Sequence, residues 1–235
     1  MQYVGGKYRI RKQLVDFLLE YVQDANYFVE PFCGSCNVVL ELLENVLFLP
    51  QRAILNDIHR DLILMWRALV FEGWEPPNNC TEEEYDRLKD SEPSALRGFI
   101  GHSCSFSGIW FDTFAKNGER NYCLNGKNSL IKARDIFNRY DIDLSFSNLS
   151  YKDLFIPDGS VVYCDPPYIN TRSVGNFSNF DHERFWQWVR ELSSKNKVFV
   201  SEYVAPEDFK SVLDINVHTD LNRAKRIEKL FVYNG

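Results

Sequence analysis

Asp165, Pro166, Pro167 and Tyr168 place a carboxylate, a stiffened backbone carbonyl and an aromatic ring on four consecutive residues. They follow the apolar run Val161-Val162-Tyr163-Cys164, where a buried strand would end and a loop begin. In open α/β sheets ligands bind beyond the carboxyl ends of the strands, so chemistry is expected at this point. The tetrapeptide holds the parts needed to grip a planar, amino-bearing base and present its nitrogen. The same residues also read as a simple Pro-Pro strand terminator.

Three further groups have the types and spacing of a cofactor site. Glu30-Pro31-Phe32-Cys33-Gly34-Ser35-Cys36 lies between an expected strand and an expected helix, which turns backbone N–H groups at the helix N-terminus toward a bound ligand. Asp57 closes the next strand, where an acid can accept hydrogen bonds from both hydroxyls of a ribose; an ordinary helix N-cap is the competing reading. Gly5-Gly6-Lys7 precedes a helix and suits an anion-contacting turn or a plain loop. Cys33 and Cys36 form a C-x-x-C, but the other cysteines and the four histidines supply no second pair at zinc spacing, so no metal is expected. The six cysteines are expected to be free thiols.

The elements that must position these groups alternate. Helical spacing is expected over Arg9 to Val22, from Ser35 or Asn37 onward, and over His59 to Phe71; short strands are expected at Tyr27-Phe28-Val29 and Ala53-Ile54-Leu55. Strand–helix–strand–helix order indicates a parallel sheet. The pattern breaks from about Gly73 to Asn128, and the aromatic yet polar stretch His102 to Phe111 reads as an inserted lobe or long functional loops. Alternation resumes with a helix near Leu130 to Tyr140 and a strand near Leu144 to Ser147. Val161 to Cys164 is the next strand and His182 to Leu192 the next helix. Val198-Phe199-Val200 and Lys229 to Tyr233 complete the strands.

A chain of 235 residues with 45% hydrophobic content can bury one sizeable core, or one core and a small lobe. With no run of about 18 apolar residues and no signal-like N-terminus, no membrane contact and a cytoplasmic location are expected. The formal charge of −6 hides an asymmetry. Eight acids crowd Glu72 to Glu92, whereas Ala95 to Tyr140 carries seven bases against three acids, a local +4 that makes a polyanion partner worth considering.

Taken together, Tyr3-Val4-Gly5-Gly6-Lys7, Val29 to Ser35, Asn56-Asp57 and Asp165-Pro166-Pro167-Tyr168, in that order, resemble the Dam-like (alpha-group) adenine-N6 DNA methyltransferases. Arg226 to Asn234 is similar to that family's final strand. The resemblance implies a Rossmann-like class I S-adenosylmethionine methyltransferase sheet of the α/β class, with a reversed β-hairpin. Residues 1–72 and 129–235 would form the catalytic domain, and 73–128 a small, mostly helical target-recognition lobe.

By motif matching, Tyr3, Gly6, Lys7, Glu30, Pro31, Phe32, Gly34, Ser35, Asp57, Asp153 and Asp165 would contact the cofactor. Asp165 to Tyr168 would hold a flipped-out adenine, with Phe177 or Phe180 as a second wall. Lys116, Arg120, Lys127, Ser105 and Trp110 would meet double-stranded DNA, the competing reading being that the aromatics form the lobe's own small core. Cys36 stands where the family usually has glycine; a side chain there either narrows the cofactor pocket or is accommodated by the loop. A monomer in a prokaryotic or phage-infected cell is expected, with or without a partner nuclease. The rival readings are a methyltransferase acting on RNA or a protein amide, and a non-catalytic binding remnant.

Overall fold

The structure, a computed structural model, describes residues 3, 5–45, 50–116, 118–169, 180–218 and 225–235. Among these, strands β1 (Tyr27–Glu30), β2 (Arg52–Asn56), β3 (Asp143–Ser147), β4 (Val161–Cys164), β5 (Lys197–Glu202), β6 (Phe209–His218) and β7 (Lys225–Tyr233) form one sheet in the order β3-β2-β1-β4-β5-β7-β6. The first five are parallel, and β7 enters antiparallel between β5 and β6. This is a doubly wound α/β sheet with a reversed hairpin, and its strand order switches direction between β1 and β4. β6 is a strand that periodicity alone does not flag.

Strand alternation divides the core between the two faces. Phe28, Ala53, Leu55, Val161 and Tyr163 join helices α1 (Arg11–Val22), α2 (Asn37–Glu44) and α3 (Arg60–Phe71). Val29, Val162, Cys164, Val198 and Val200 face the opposite layer, where α7 (His182–Ser193) adds Phe185, Trp186 and Val189. All four β4 residues are buried, as expected of a central parallel strand covered on both sides.

The middle segment holds α4 (Glu82–Lys89), α5 (Ala95–Ser103) and the start of α6 (Tyr122–Phe137). Local sequence starts each one: Thr81 and Glu84 make a reciprocal capping box, and the Ser94 and Asn121 side chains accept from Arg97 and Leu124 backbone N–H groups. Tyr85, Phe99, Ile100 and Phe111 belong to the same core as α1 to α3. Gly98 permits this, because a Cβ there would stand 2.3 Å from the Asp61 carbonyl oxygen across the α3–α5 contact. The helix expected from Leu130 begins at Tyr122, so the expected boundary at 128 falls inside α6. The stretch from His102, expected as an inserted lobe or long functional loops, is largely interior: His102, Ser103 and Ser105 are buried.

Candidate active site

The carboxyl ends of β1, β2 and β4 converge at the switch point. β1 ends in Glu30, β2 runs into Asp57, and Asp165 follows β4 directly. The Asp57 carboxylate receives Gly34 N–H at 2.9 Å and His59 N–H at 2.8 Å, fixing the Cys33–Cys36 loop to the end of β2. Trp66 Nε1–H donates to the Gly34 carbonyl at 3.0 Å, and Cys33 N–H to the Asn56 carbonyl at 2.8 Å. Burial raises the Asp57 carboxyl to about 6, against the pull of its two N–H partners.

Gly6 brings the N-terminal turn onto this loop: a Cβ there would meet the Asn37 amide nitrogen at 3.0 Å and Ser35 Oγ at 3.1 Å. Lys7 is thereby buried, with Nζ 2.7 Å from Asp165 Oδ1 and 3.3 Å from Glu228 Oε1. Burial works against the ammonium, but Asp165 and Glu228 more than offset it, and its pKa is raised. Asp165 is also raised, by burial first, with Lys7 pulling it down and Glu228 pushing it up. Lys7 lies 4.6 Å over the Tyr168 ring centroid, Tyr203 crosses that ring at 87°, and the Tyr168 hydroxyl donates to Glu228. Pro166 is buried and Pro167 half-buried between these anchors.

Glu30 is 2% exposed, its Oε1 has no hydrogen-bond partner, and burial pushes its carboxyl well above the usual range. Tyr3 packs 4.8 Å from His102, and its hydroxyl, raised by burial, also senses Asp57 and Asp165. Tyr3, Gly6, Lys7, Glu30, Gly34, Ser35, Asp57 and Asp165 are thus gathered around one cleft. Pro31 serves through its backbone carbonyl, which accepts from the Asn56 amide at 3.0 Å. Phe32 belongs to the aromatic layer under α7, within 5.4 Å of Tyr151. Asp153 sits exposed on the turn after β3.

Cys36 answers the concern about its side chain. Its backbone is left-handed (φ 55°), which explains why glycine suits the position. The side chain is fully buried in the core beneath the loop.

The residues expected to meet DNA stand in different surroundings. Ser105 is fully buried, with its Oγ 2.7 Å from the Tyr85 hydroxyl and donating to the Gly101 carbonyl at 2.6 Å, so it cannot reach a base. Trp110 packs against His59 at 4.2 Å and His102 at 4.8 Å, joining the middle segment to the cleft. Within the same stretch Phe106, 60% exposed, and Ser107 face outward. The acidic and basic segments partly neutralise one another: Lys116 pairs with Glu82, and Lys127 and Arg134 with Glu75. Arg120 instead lies 4.8 Å over the Tyr122 ring. Phe180 packs into the Phe32–Phe185 cluster, and Phe177 lies outside the described residues. Among the described residues no group of His, Cys, Asp and Glu is arranged to hold a metal, and no helix is long and apolar enough to cross a membrane.

Glu228 and Glu202 were not singled out by the sequence reading. The Glu202 carboxylate receives Ile169 N–H at 2.6 Å and Tyr203 N–H at 2.5 Å, holding the chain after Tyr168. An isolated acid in the middle of the Lys225–Tyr233 strand was the available signal for Glu228.

The sequence matches known proteins over most of its length. The profile of the D12 class N6 adenine-specific DNA methyltransferases matches residues 3–93 and 113–219. The chain is 26% identical over 206 residues to a DNA adenine methylase of Vibrio cholerae serotype O1, covering 77% of this chain and 68% of that one. It is 26% identical over 211 residues to the DNA adenine methylase of Escherichia coli K12, covering 79% and 70%. The type II methyltransferase M1.LlaDCHI of Lactococcus lactis subsp. cremoris is 22% identical over 252 residues, covering 92% and 85%. Among solved structures, the rRNA methyltransferase AviRa of Streptomyces viridochromogenes is similar with a TM-score of 0.46 and 13% identity, covering 99% and 87%. The chain belongs to the D12 class N6 adenine-specific DNA methyltransferase family, and is a site-specific enzyme that methylates adenine N6 in DNA with S-adenosylmethionine.

Proposed function

We propose that the cleft at the β1/β4 switch point performs this transfer with Asp165 as its centre. The observation that carries the proposal is the meeting of Lys7, Asp165, Tyr168 and Glu228 within direct contact of one another. The cleft suits a cationic cofactor. Glu30, Asp57, Asp165 and Glu228 are gathered there, Lys7 is the cation paired with them among the described residues, and Glu30 keeps a buried oxygen unpartnered. Asp57 would hold the ribose hydroxyls, while Tyr3, Gly6, Gly34 and Ser35 shape the pocket and Asp153 reaches the adenine end. When bound, S-adenosylmethionine supplies an electrophilic sulfonium methyl.

Adenine N6 is a poor nucleophile because its lone pair is delocalised into the ring. Lys7 anchors Asp165 through Oδ1, and the carboxylate would accept one N6–H while the Pro166 carbonyl accepts the other. Proline restricts its own φ and the residue before it, so both acceptors are held in advance. Tyr168, fixed by Glu228 and Lys7, provides the wall on which the base stacks. Burial raises Asp165's affinity for a proton, which suits it to take the one that N6 sheds. Positioning and electrostatics therefore carry the acceleration.

A duplex hides N6, so the target is flipped out at a cost of a few kcal/mol. Residues 73–128 would read the DNA, with Arg120 on phosphate and Phe106 filling the stack; Lys116 and Lys127 would have to leave their acidic partners to join. In this proposal the chain works as a monomer on duplex DNA in the prokaryotic cytoplasm, and sedimentation with and without a duplex tests the first point. For the chemistry the test is Asp165→Ala. Methyl transfer to unmethylated DNA should vanish while duplex binding survives; turnover near the wild-type level would refute the assignment.

A further inference from the structure

Away from the cleft, the loop before α4, the end of α5 and the start of α6 enclose a cavity of about 240 Å³. Cys80, Cys104 and Cys123 line it together with Phe114, Lys116 and Arg120. The Cys104 thiol thus shares one cavity wall with those of Cys80 and Cys123. Cys104 and Cys123 are buried, whereas Cys80 is half-buried and open to solvent. Cys80 and Cys123 also donate to the carbonyls of Thr81 and Pro77, each at 3.3 Å. Nothing in methyl transfer uses these sulfurs.

We propose that Cys80 and Cys104 are a peroxide-reactive pair, a disulfide-forming modification site independent of the methyl-transfer cleft. The roles divide by exposure: Cys80 meets the oxidant and Cys104, behind it, resolves the product. Its neighbour Cys104 pulls the Cys80 thiol below its usual range, against burial and the nearby Glu84. In the first step the Cys80 thiolate attacks one peroxide oxygen. The O–O bond breaks, Cys80 becomes a sulfenic acid, and hydroxide leaves. The Cys104 thiol then attacks the Cys80 sulfur; the S–S bond forms, the S–O bond breaks, and water departs with the Cys104 proton. Two thiols are oxidised and one peroxide is reduced to two waters, the second formed when hydroxide takes the proton released by Cys80.

The resulting bond would tie the loop before α4 to the end of α5, across the segment proposed to read DNA. The test needs only the full chain. Reduced protein is treated with hydrogen peroxide, alkylated and mapped by mass spectrometry without reductant. The expected result is a Cys80–Cys104 crosslink that dithiothreitol reverses. Cys104→Ser should leave a sulfenic acid on Cys80 that dimedone captures. Cys80→Ser, at the half-exposed position, should slow peroxide-dependent thiol loss by about tenfold or more. A crosslink forming first at Cys33–Cys36 or Cys104–Cys123 would overturn the assignment. So would a zinc ion that must be stripped before these thiols react.

Discussion

Replacing Lys7 with methionine keeps the length of the side chain and removes its charge, leaving Asp165 and Glu228 facing each other in a largely closed cleft. The ammonium is 2.7 Å from one carboxylate and 3.3 Å from the other, with side-chain exposures of 9% for Lys7, 20% for Asp165 and 6% for Glu228. Removing one partner from a buried pair costs about 3–5 kcal/mol, against about 1 kcal/mol or less for an exposed one. For a domain of this size that is a fall in Tm on the order of 10 °C. The pH dependence has a definite sign. Asp165 is already raised in the folded protein, and without Lys7 the burial and Glu228 contributions raise it further. A carboxyl raised by folding contributes stability below its unfolded pKa and loses it as pH rises through the folded one. The deficit of Lys7→Met should therefore be small near pH ~5 and large near pH ~8. Urea unfolding of the cofactor-free protein at both values measures it directly. A loss under about 1 kcal/mol near pH ~8, or an equal loss at both values, would refute the reasoning.

Asp57→Ala should weaken cofactor binding on the order of a hundredfold or more, since two charge-assisted hydrogen bonds of about 1.5–3 kcal/mol each are lost; calorimetry showing less than about tenfold would place the ribose elsewhere. In the wild-type protein the same affinity should fall as pH drops through about 6, where Asp57 protonates, and a flat profile across that range would contradict the role. Gly98→Ala puts a Cβ 2.3 Å from a backbone oxygen, so α3 and α5 must separate at a cost of about 1–3 kcal/mol, visible as a lower Tm; an unchanged Tm would deny the close packing. Arg120→Glu should weaken duplex binding at low salt more than Lys127→Glu does, because Glu75 already neutralises Lys127; the reverse order would move the DNA surface.

The parallel half of the sheet was legible because its strands are apolar runs ending in Glu30, Asn56-Asp57 and Asp165. Buried strands and functional turns leave different residue types, and the border between them is sharp. β6 left no such trace: Phe209 to His218 mixes Lys210, Ser211, Asp214 and Asn216 among its apolar residues, as an edge strand with a solvated face must. The turns that carry the candidate site residues were readable as βα turns for the same reason. Glu228 was not, because its importance lies in what stands across from it, and only the antiparallel register opposing Glu202 to Lys229 brings it level with Lys7 and Tyr168. The surroundings of the expected DNA contacts were the least legible. Ser105, Trp110 and Lys127 have surface-like or base-reading chemistry, and nothing local reveals that Tyr85, His59 or Glu75 already occupies them.

Helix α6 carries a mechanical implication. Its 16 residues make a rod about 24 Å long that starts on the wall of the thiol-lined cavity and continues, unbroken, along α2 and α3. Whatever face residues 73–128 present to a duplex is therefore bolted to the frame that carries Asp165, with no joint at that end to swing. Fitting the target into the cleft then falls to the nucleic acid, whose own bending and unstacking absorb the mismatch. Base steps that deform cheaply around the adenine would be methylated faster at equal base contacts, so the stiffness of the flanking sequence becomes part of what the enzyme reads.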